Sequence, residues 1–460
     1  LRFCVVFFCL CCWSGFLLIT FNHQKSSQVI KSHLMSTPTN PNPSPNPIQM
    51  QSVADTVSRR QFWLVLIGMI LLAANMRSPI VALGSLVNVI QEALNISAVE
   101  VGWLGSVPMV LFAFGALVSP KLAKRFGLGN LLLLSIVFMT VGILWRVLWV
   151  GWWPFLFGTV LLSFAISIAN TLAAPAIKQL TPRHIPLVTG IFSTSMSVMA
   201  GVAAGVVLPI EQWLGWRWAL GSWAGLGIMA CLLWVPIRPR VADKTASSIT
   251  ANATASSSFA MGNLPNIRMW QAPLAWQIAV FMGLQSLLFY TVASFLPTIW
   301  VSKGLEPITA GNMGMVYQVM APLATLALTV FMGRRRWVRP LAMFAALINV
   351  VGTAGLAFAS PSLAWLWTAC MGLGGAMIFT MCIMMIGMRT YDTEQASNLS
   401  GMAQTVGYGI AIIGPLGMGS LHEYLGSWHV PLIILFVLMV FNVFMGWLVT
   451  RPVMIDGSHL

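Results

Sequence analysis

Twelve apolar stretches, each 20 to 29 residues long, follow one another from residue 62 to residue 450. They run over 62–90, 99–119, 130–150, 153–176, 186–210, 217–236, 274–300, 308–332, 338–359, 362–388, 397–420 and 429–450. A helix rises ~1.5 Å per residue, so each can cross the ~30 Å hydrocarbon core of a bilayer. In hydrocarbon every backbone N–H and C=O must be satisfied within the chain, and for stretches of this length that means helices. Only 7% of the 460 residues are charged and 58% are hydrophobic. Soluble domains carry about 25% charged residues, so composition excludes that class and points to an all-α polytopic membrane protein.

The connections between stretches alternate in charge. One set carries Arg59/Arg60, Lys121/Lys124/Arg125, Lys178/Arg183, Arg238/Arg240/Lys244/Arg268, Arg334/Arg335/Arg336/Arg339, Arg389 and Arg451. The other carries Arg217 and Lys303 beside Glu92, Glu100, Glu211, Glu306 and Glu423. Lys/Arg bias assigns the first set to the cytoplasm, and twelve crossings then leave both termini there. The net charge of +14 follows from these loops, so no nucleic-acid partner is expected. The seven cysteines form no paired spacing, and neither a disulfide framework nor a metal site is expected.

Residues 1–61 are expected as an N-terminal tail, too polar and Pro/Asn-rich over 22–54 to build a core. The apolar run at 1–21 would add an odd crossing. Residues 1–34 are expected to stem from upstream translation or a fragment artefact, with Met35 or Met50 as a natural start; a signal peptide is the alternative. Residues 237–271 are Ser/Thr/Ala-rich and basic at their start, as a cytoplasmic linker would be. They separate residues 62–236 from 272–450, and 451–460 form a C-terminal tail.

The two segments are related. Ile96-Ser97-Ala98 with Gly102 recurs 212 residues later as Ile308-Thr309-Ala310 with Gly314, the Ser and Thr each read as a helix cap. Thr189-Gly190 recurs as Ser400-Gly401, and Trp213-Leu214-Gly215 as Tyr424-Leu425-Gly426, both at an offset of 211. Paired six-helix bundles are the organisation of major facilitator transporters, with a site near mid-membrane between the bundles, reached alternately from either side. The loop Pro120–Asn130, PKLAKRFGLGN, keeps Arg125 and Gly127 of the facilitator loop pattern, but Lys124 stands in place of its acid.

Further stretches resemble the bacterial cyanate/nitroimidazole transporter family (CynX/NimT). They are Arg77, Arg146, Asn170 with Pro175 and Ile177-Lys178, Pro273-Leu274-Ala275-Trp276-Gln277, and Gln318. The longest is LSGMAQTVGY over residues 399–408, continuing to Gly414-Pro415 and His422. The resemblance spans about residues 62–450. It implies a secondary transporter of a small anionic or polar solute in the bacterial cytoplasmic membrane, working without a cofactor, here expected as a monomer. A multidrug or nitroaromatic exporter is one alternative, and a polytopic membrane enzyme is another.

Arg77 stands roughly 22 Å along the first stretch from Phe62 at ~1.5 Å per residue, where an arginine costs at least ~2.5–3.5 kcal/mol. All ten acids of the chain fall in loops, tails or helix ends, so none lies at its depth. A buried charge must be paired or solvated. A substrate anion is one partner for it; water, carbonyls and amides are the other. Arg77, Asn75, Asn170, Gln285, Tyr290, Gln318 and Gln404 are the candidate substrate-binding residues, a polar pocket around one cation. Interhelical bridging is the structural alternative for the amides. Arg125, Gly127, Arg146, Lys178 and Arg389 are expected at gates or interfaces, with Arg146 near the outer face and snorkelling to it. Gly201 and Gly205 read as a small-residue pair for close helix contact. With no Asp, Glu or His inside the bundle, uniport, exchange or potential-driven movement is expected rather than proton coupling. No GxxxxGK[ST] motif offers ATP drive.

Overall fold

The computed structural model describes residues 59–96, 98–238, 269–331 and 337–451. Expectations for residues 1–58, Ser97, the linker residues 239–268, Arg334 to Arg336 and the tail 452–460 lie outside them. Contacts group Trp63–Leu460 as one compact unit, and of the preceding unit, Leu1–Phe62, only the start of the first helix is described.

The described residues form twelve long helices and no strands. They are α1 (Arg59–Ser85), α2 (Ala98–Phe126), α3 (Leu128–Leu148), α4 (Trp152–Leu180), α5 (Ile185–Leu214), α6 (Trp216–Arg238, with a turn at Ser222), α7 (Pro273–Ser302), α8 (Pro307–Phe331), α9 (Val338–Phe358), α10 (Ala364–Met388), α11 (Thr393–Leu425) and α12 (His429–Val449). Ten meet both the length and the apolarity needed to cross a membrane; α8, at 25 residues, and α11, at 33, have the length. In α11, Ser, Gln, Thr, Gly and Tyr dilute the apolar residues, and the reason lies in what that helix touches. Hydroxyls within the apolar helices turn back on their own backbones: Ser78, Ser135, Thr159 and Thr171 each donate to the carbonyl four residues earlier, at 2.8–2.9 Å.

Two boundaries differ from the sequence reading. The first stretch does not run to 90; α1 stops at Ser85 and a separate short helix, Val87–Leu94, follows. Gly84 and Ser85 weaken the continuation, Leu86 leaves helical geometry, and Asn95 closes the short helix in left-handed conformation at φ 50°. Thr309 is not a cap but the third residue of α8. Pro307 takes the first helical position, and the Glu306 carbonyl receives the Ala310 N–H at 2.9 Å.

Among the first six helices, α4 packs on α2 and α3, and α5 on α6; among the last six, α7 packs on α11 and α12, α9 on α10 and α12, and α8 on α10. Backbones come close enough that glycine is required. A Cβ at Gly142 would stand 2.9 Å from the Leu162 nitrogen, and one at Gly414 2.8 Å from the Leu287 carbonyl. Between the first and last six, the main contacts are α2 with α11 and α5 with α8.

That seam is closed at one end and open at the other. At the end bearing the basic loops, a Cβ at Gly190 of α5 would overlap the Thr329 side chain of α8, and one turn on Thr194 and Thr325 share a hydrogen bond of 2.8 Å. On the other pair a Cβ at Gly401 of α11 would lie 2.5 Å from Pro120 and 2.9 Å from the Ala116 carbonyl of α2. Along the same helix faces toward the opposite end, Gly201 and Gly205 of α5, Gly311 and Gly314 of α8, Gly105 of α2 and Gly409 of α11 have nothing within 4 Å of an added Cβ. Gly201 and Gly205 are therefore not a helix-contact pair here, because they line the parted end. The repeated motifs occupy equivalent places. Gly190 and Gly401 make the two close approaches, and Gly215 and Gly426 end α5 and α11 at φ 82° and 65°.

Candidate substrate site

The two closed contacts floor a cavity of about 100 Å³. Its wall draws on both sets of helices: Arg77 (α1), Phe112 (α2), Asn170 (α4), Ser193 (α5), Gln285 and Tyr290 (α7), and further residues of α8, α10 and α11. Arg77 is half-buried, its guanidinium carbon 4.9 Å from the centre of the Phe289 ring. It has no hydrogen-bond or ion-pair partner among the described residues. One fixed cation thus faces the cavity, partnered by a π-face alone.

Three tyrosines surround it. The chain has five, and Tyr290, Tyr317 and Tyr408 all line this cavity within electrostatic reach of Arg77. Phe289 meets Tyr290 edge-on, with centroids 5.1 Å apart, and Tyr317 at 6.0 Å; Phe112 of α2 lies 5.3 Å from Tyr408. Sequence reasoning found Tyr290 but missed Tyr317, Tyr408 and Phe289. The scarcity of tyrosine was the available signal, since three of five fall within the apolar stretches of the sequence, one of them beside Gln318.

The expected site residues separate into two groups. Arg77, Asn170, Gln285, Tyr290 and Gln318 line the cavity. Asn75 and Gln404 do not. Asn75 is fully buried with neither amide atom partnered, two residues from Arg77 and so on another face of α1. Gln404 belongs to a seal between α4 and α11. Asn170 Nδ2 donates to Gln404 Oε1 and to the Tyr408 hydroxyl, both at 2.9 Å. Gln404 Nε2 donates to the Asn170 carbonyl at 3.2 Å and to Ser400 Oγ at 3.1 Å, and Ser400 Oγ donates to the Thr171 carbonyl at 2.6 Å. The SGMAQ stretch is therefore a polar fastening, which is why α11 is less apolar than most of these helices.

The expected gate residues also divide. Lys178 bridges the seam, donating to the Thr390 carbonyl and, at 2.8 Å, to Thr390 Oγ1. Gly127 turns the chain into α3 at φ 80°, and Arg389 is buried at the end of α10. Arg125 is exposed, stacked only on its neighbour Phe126 at 5.6 Å. Its neighbour Lys124 carries the contact instead, pairing with Glu394 of α11 at 2.6 Å. Lys124, standing where the facilitator pattern has an acid, thus ties α2 to α11 through an ion pair. Arg146 does not snorkel. It is 2% exposed, wedged against Gly158 of α4 with its guanidinium carbon 4.9 Å from the Phe155 ring centre, and its Nε and one terminal nitrogen are buried without partners. Its face of α3 points at α4, which position along the helix could not reveal. His422 lies in the last turn of α11, stacked on Trp428 at 4.0 Å.

Residues 64–415 match the Major Facilitator Superfamily. The chain belongs to this superfamily. The facilitator is 32% identical over 385 residues to the uncharacterized transporter YycB of Bacillus subtilis (strain 168), covering 83% of this chain and 92% of the relative. It is 30% identical to the 2-nitroimidazole transporter of Escherichia coli (strain K12), covering 79% and 90%, and 24% identical to the cyanate transport protein CynX of the same strain, covering 79% and 91%. The fold is similar to that of the proton:xylose symporter XylE, with a TM-score of 0.71 over 85% of this chain and 96% of that one at 14% identity. The facilitator is a multi-pass membrane transporter of a small molecule and not an enzyme. The resemblance to the cyanate and nitroimidazole transporters holds over most of its length.

Proposed function

We propose that the protein carries a small anionic or polar solute, cyanate-like or nitroimidazole-like, by alternating access between two six-helix bundles, residues 62–236 and 272–450, joined by the linker 237–271. In this reading the basic end faces the cytoplasm of a bacterium, both termini lie there, the membrane is the cytoplasmic one, and the monomer is the working unit with no nucleic-acid partner. The open end then faces outward.

One observation carries the substrate reading: the Arg77 guanidinium lines the cavity with no ion-pair partner among the described residues. An anion there gains charge-assisted hydrogen bonds in a setting of low dielectric. Size supports a small solute. The cavity of about 100 Å³ is well below the ~300–1,000 Å³ of pockets that hold drug-sized ligands, which disfavours multidrug export. The aromatic walls favour a second reading, export of nitroaromatics, in line with the 2-nitroimidazole transporter among the relatives.

The test is uptake and efflux in proteoliposomes with cyanate, small carboxylates and nitroimidazoles. Arg77→Ala is expected to lower transport roughly 30-fold or more, the equivalent of ~2 kcal/mol for an unpaired buried charge, with normal membrane insertion. Near-normal transport by Arg77→Ala would overturn the assignment.

A further inference from the structure

We propose that the preferred substrates are single-ring aromatic monoanions, with one carboxylate held at Arg77 and the ring held between the aromatic side chains of the two sets of helices. This rests on the Arg77-anchored reading above and narrows it to a chemical class.

Three features lead there. The first is charge. The site offers one cation, and every Asp and Glu of the chain lies in a loop, a tail or a helix end. An ammonium group brought in on the same molecule would meet no carboxylate, so amino acids and other zwitterions would lose solvation without compensation. The second is donor geometry. Tyr408 accepts from Asn170 Nδ2, which leaves its own proton for the cavity. Tyr290 and Tyr317 donate to no protein acceptor among the described residues. Three phenol donors with a guanidinium suit the several lone pairs of one carboxylate better than the two ends of a linear ion.

The third is shape. Phe112 and Tyr408 stand 5.3 Å apart, Phe289, Tyr290 and Tyr317 form a joined aromatic cluster, and all five line the cavity. A flat ring can meet these faces and edges at the spacing aromatic pairs prefer, and a puckered ring of equal charge cannot. The cavity of about 100 Å³ has room for one such ring.

The experiment measures uptake of labelled benzoate by purified protein in proteoliposomes, with cyanate uptake in parallel. Cyclohexanecarboxylate and phenylalanine serve as competitors. Saturable benzoate uptake is expected. Cyclohexanecarboxylate should compete ~3- to 10-fold more weakly than unlabelled benzoate, the range of an aromatic contact, and phenylalanine should not compete. Phe289→Leu should collapse the difference between the planar and the puckered acid, and Phe112→Leu serves as the second variant should the first fail to insert. If benzoate is neither taken up nor competes with cyanate, while cyanate uptake still requires Arg77, the aromatic class is wrong and the anchored-anion reading stands. If Arg77→Ala leaves cyanate uptake intact, the anchored reading itself fails. Equal competition by the planar and puckered acids, or competition by phenylalanine, also overturns the proposal.

Discussion

The two ends of the seam between the first and last six helices use the same helix faces in opposite ways. On α5 and α8 one continuous stripe meets its partner at Gly190 and Thr194 and faces open space at Gly201 and Gly205. The α2–α11 pair does the same, tight at Gly401 and parted at Gly409. At the closed end, hydrogen bonds cross the seam through Asn170, Gln404, Ser400 and Lys178. Among the described residues the open stripes carry small residues and no such bonds. Closure at the basic end is therefore specific and bonded, while the opposite end is prepared for closure by small residues alone. Alternating access requires the second to close when the first parts.

The largest effects should come from bulk placed on either stripe. Gly401→Leu puts a side chain where Pro120 and the Ala116 carbonyl stand, and overpacking costs ~1–3 kcal/mol or more. Transport should fall at least about tenfold, and a thiol reagent should label Gly205→Cys at the open end more slowly, because the protein now rests with its other end closed. Gly201→Leu meets nothing within 4 Å in this state, so it should also stop transport but leave the Gly205→Cys position fully reactive. If both variants shift labelling the same way, the two ends are not alternatives of one motion.

Asn170→Ala should have an intermediate effect. It leaves Gln404 Oε1 without its donor, worth ~1–3 kcal/mol, and should slow labelling of Gly205→Cys by a smaller factor than Gly401→Leu. The smallest effect should come from the Lys124–Glu394 pair, whose side chains are both more than half exposed. Lys124→Ala should weaken the seal by ~0.2–1 kcal/mol, less at high salt. Lys124→Glu should be worse, and adding Glu394→Lys should restore labelling to the wild-type rate. Failure of the double reversal to recover would remove the pair from the gate.

The twelve helices were legible because length, apolarity and loop charge are properties of local sequence. Arg77 was legible as a cation with no acid at its depth because all ten acids fall in loops, tails or helix ends. What could not be read was rotation about each helix axis and the partner it brings. Gln404 looked like a pocket amide, yet it bonds to Asn170 across α4 and α11, and of the two Asn170 alone lines the cavity. Arg146 sits near a helix end, where snorkelling is cheap, but its side faces α4. Arg125 matched a familiar loop pattern, while its neighbour Lys124 makes the ion pair. In each case the residue type was informative and the direction of the side chain was set by tertiary packing. The end of α1 at Ser85 escaped for a different reason: Val87–Leu94 is itself apolar enough to extend the pattern.

Gly190 and Gly401 are the same residue of the internal repeat, and each sits on its own side of the cavity floor. The floor is thus secured at two matched points, like a lid held by a clasp on each side. Releasing one clasp alone leaves the opposite rim pinned and opens only a narrow wedge. A passage wide enough for a solute needs both released together, so a single lesion in either copy of the repeat should act on the whole motion rather than on half of it.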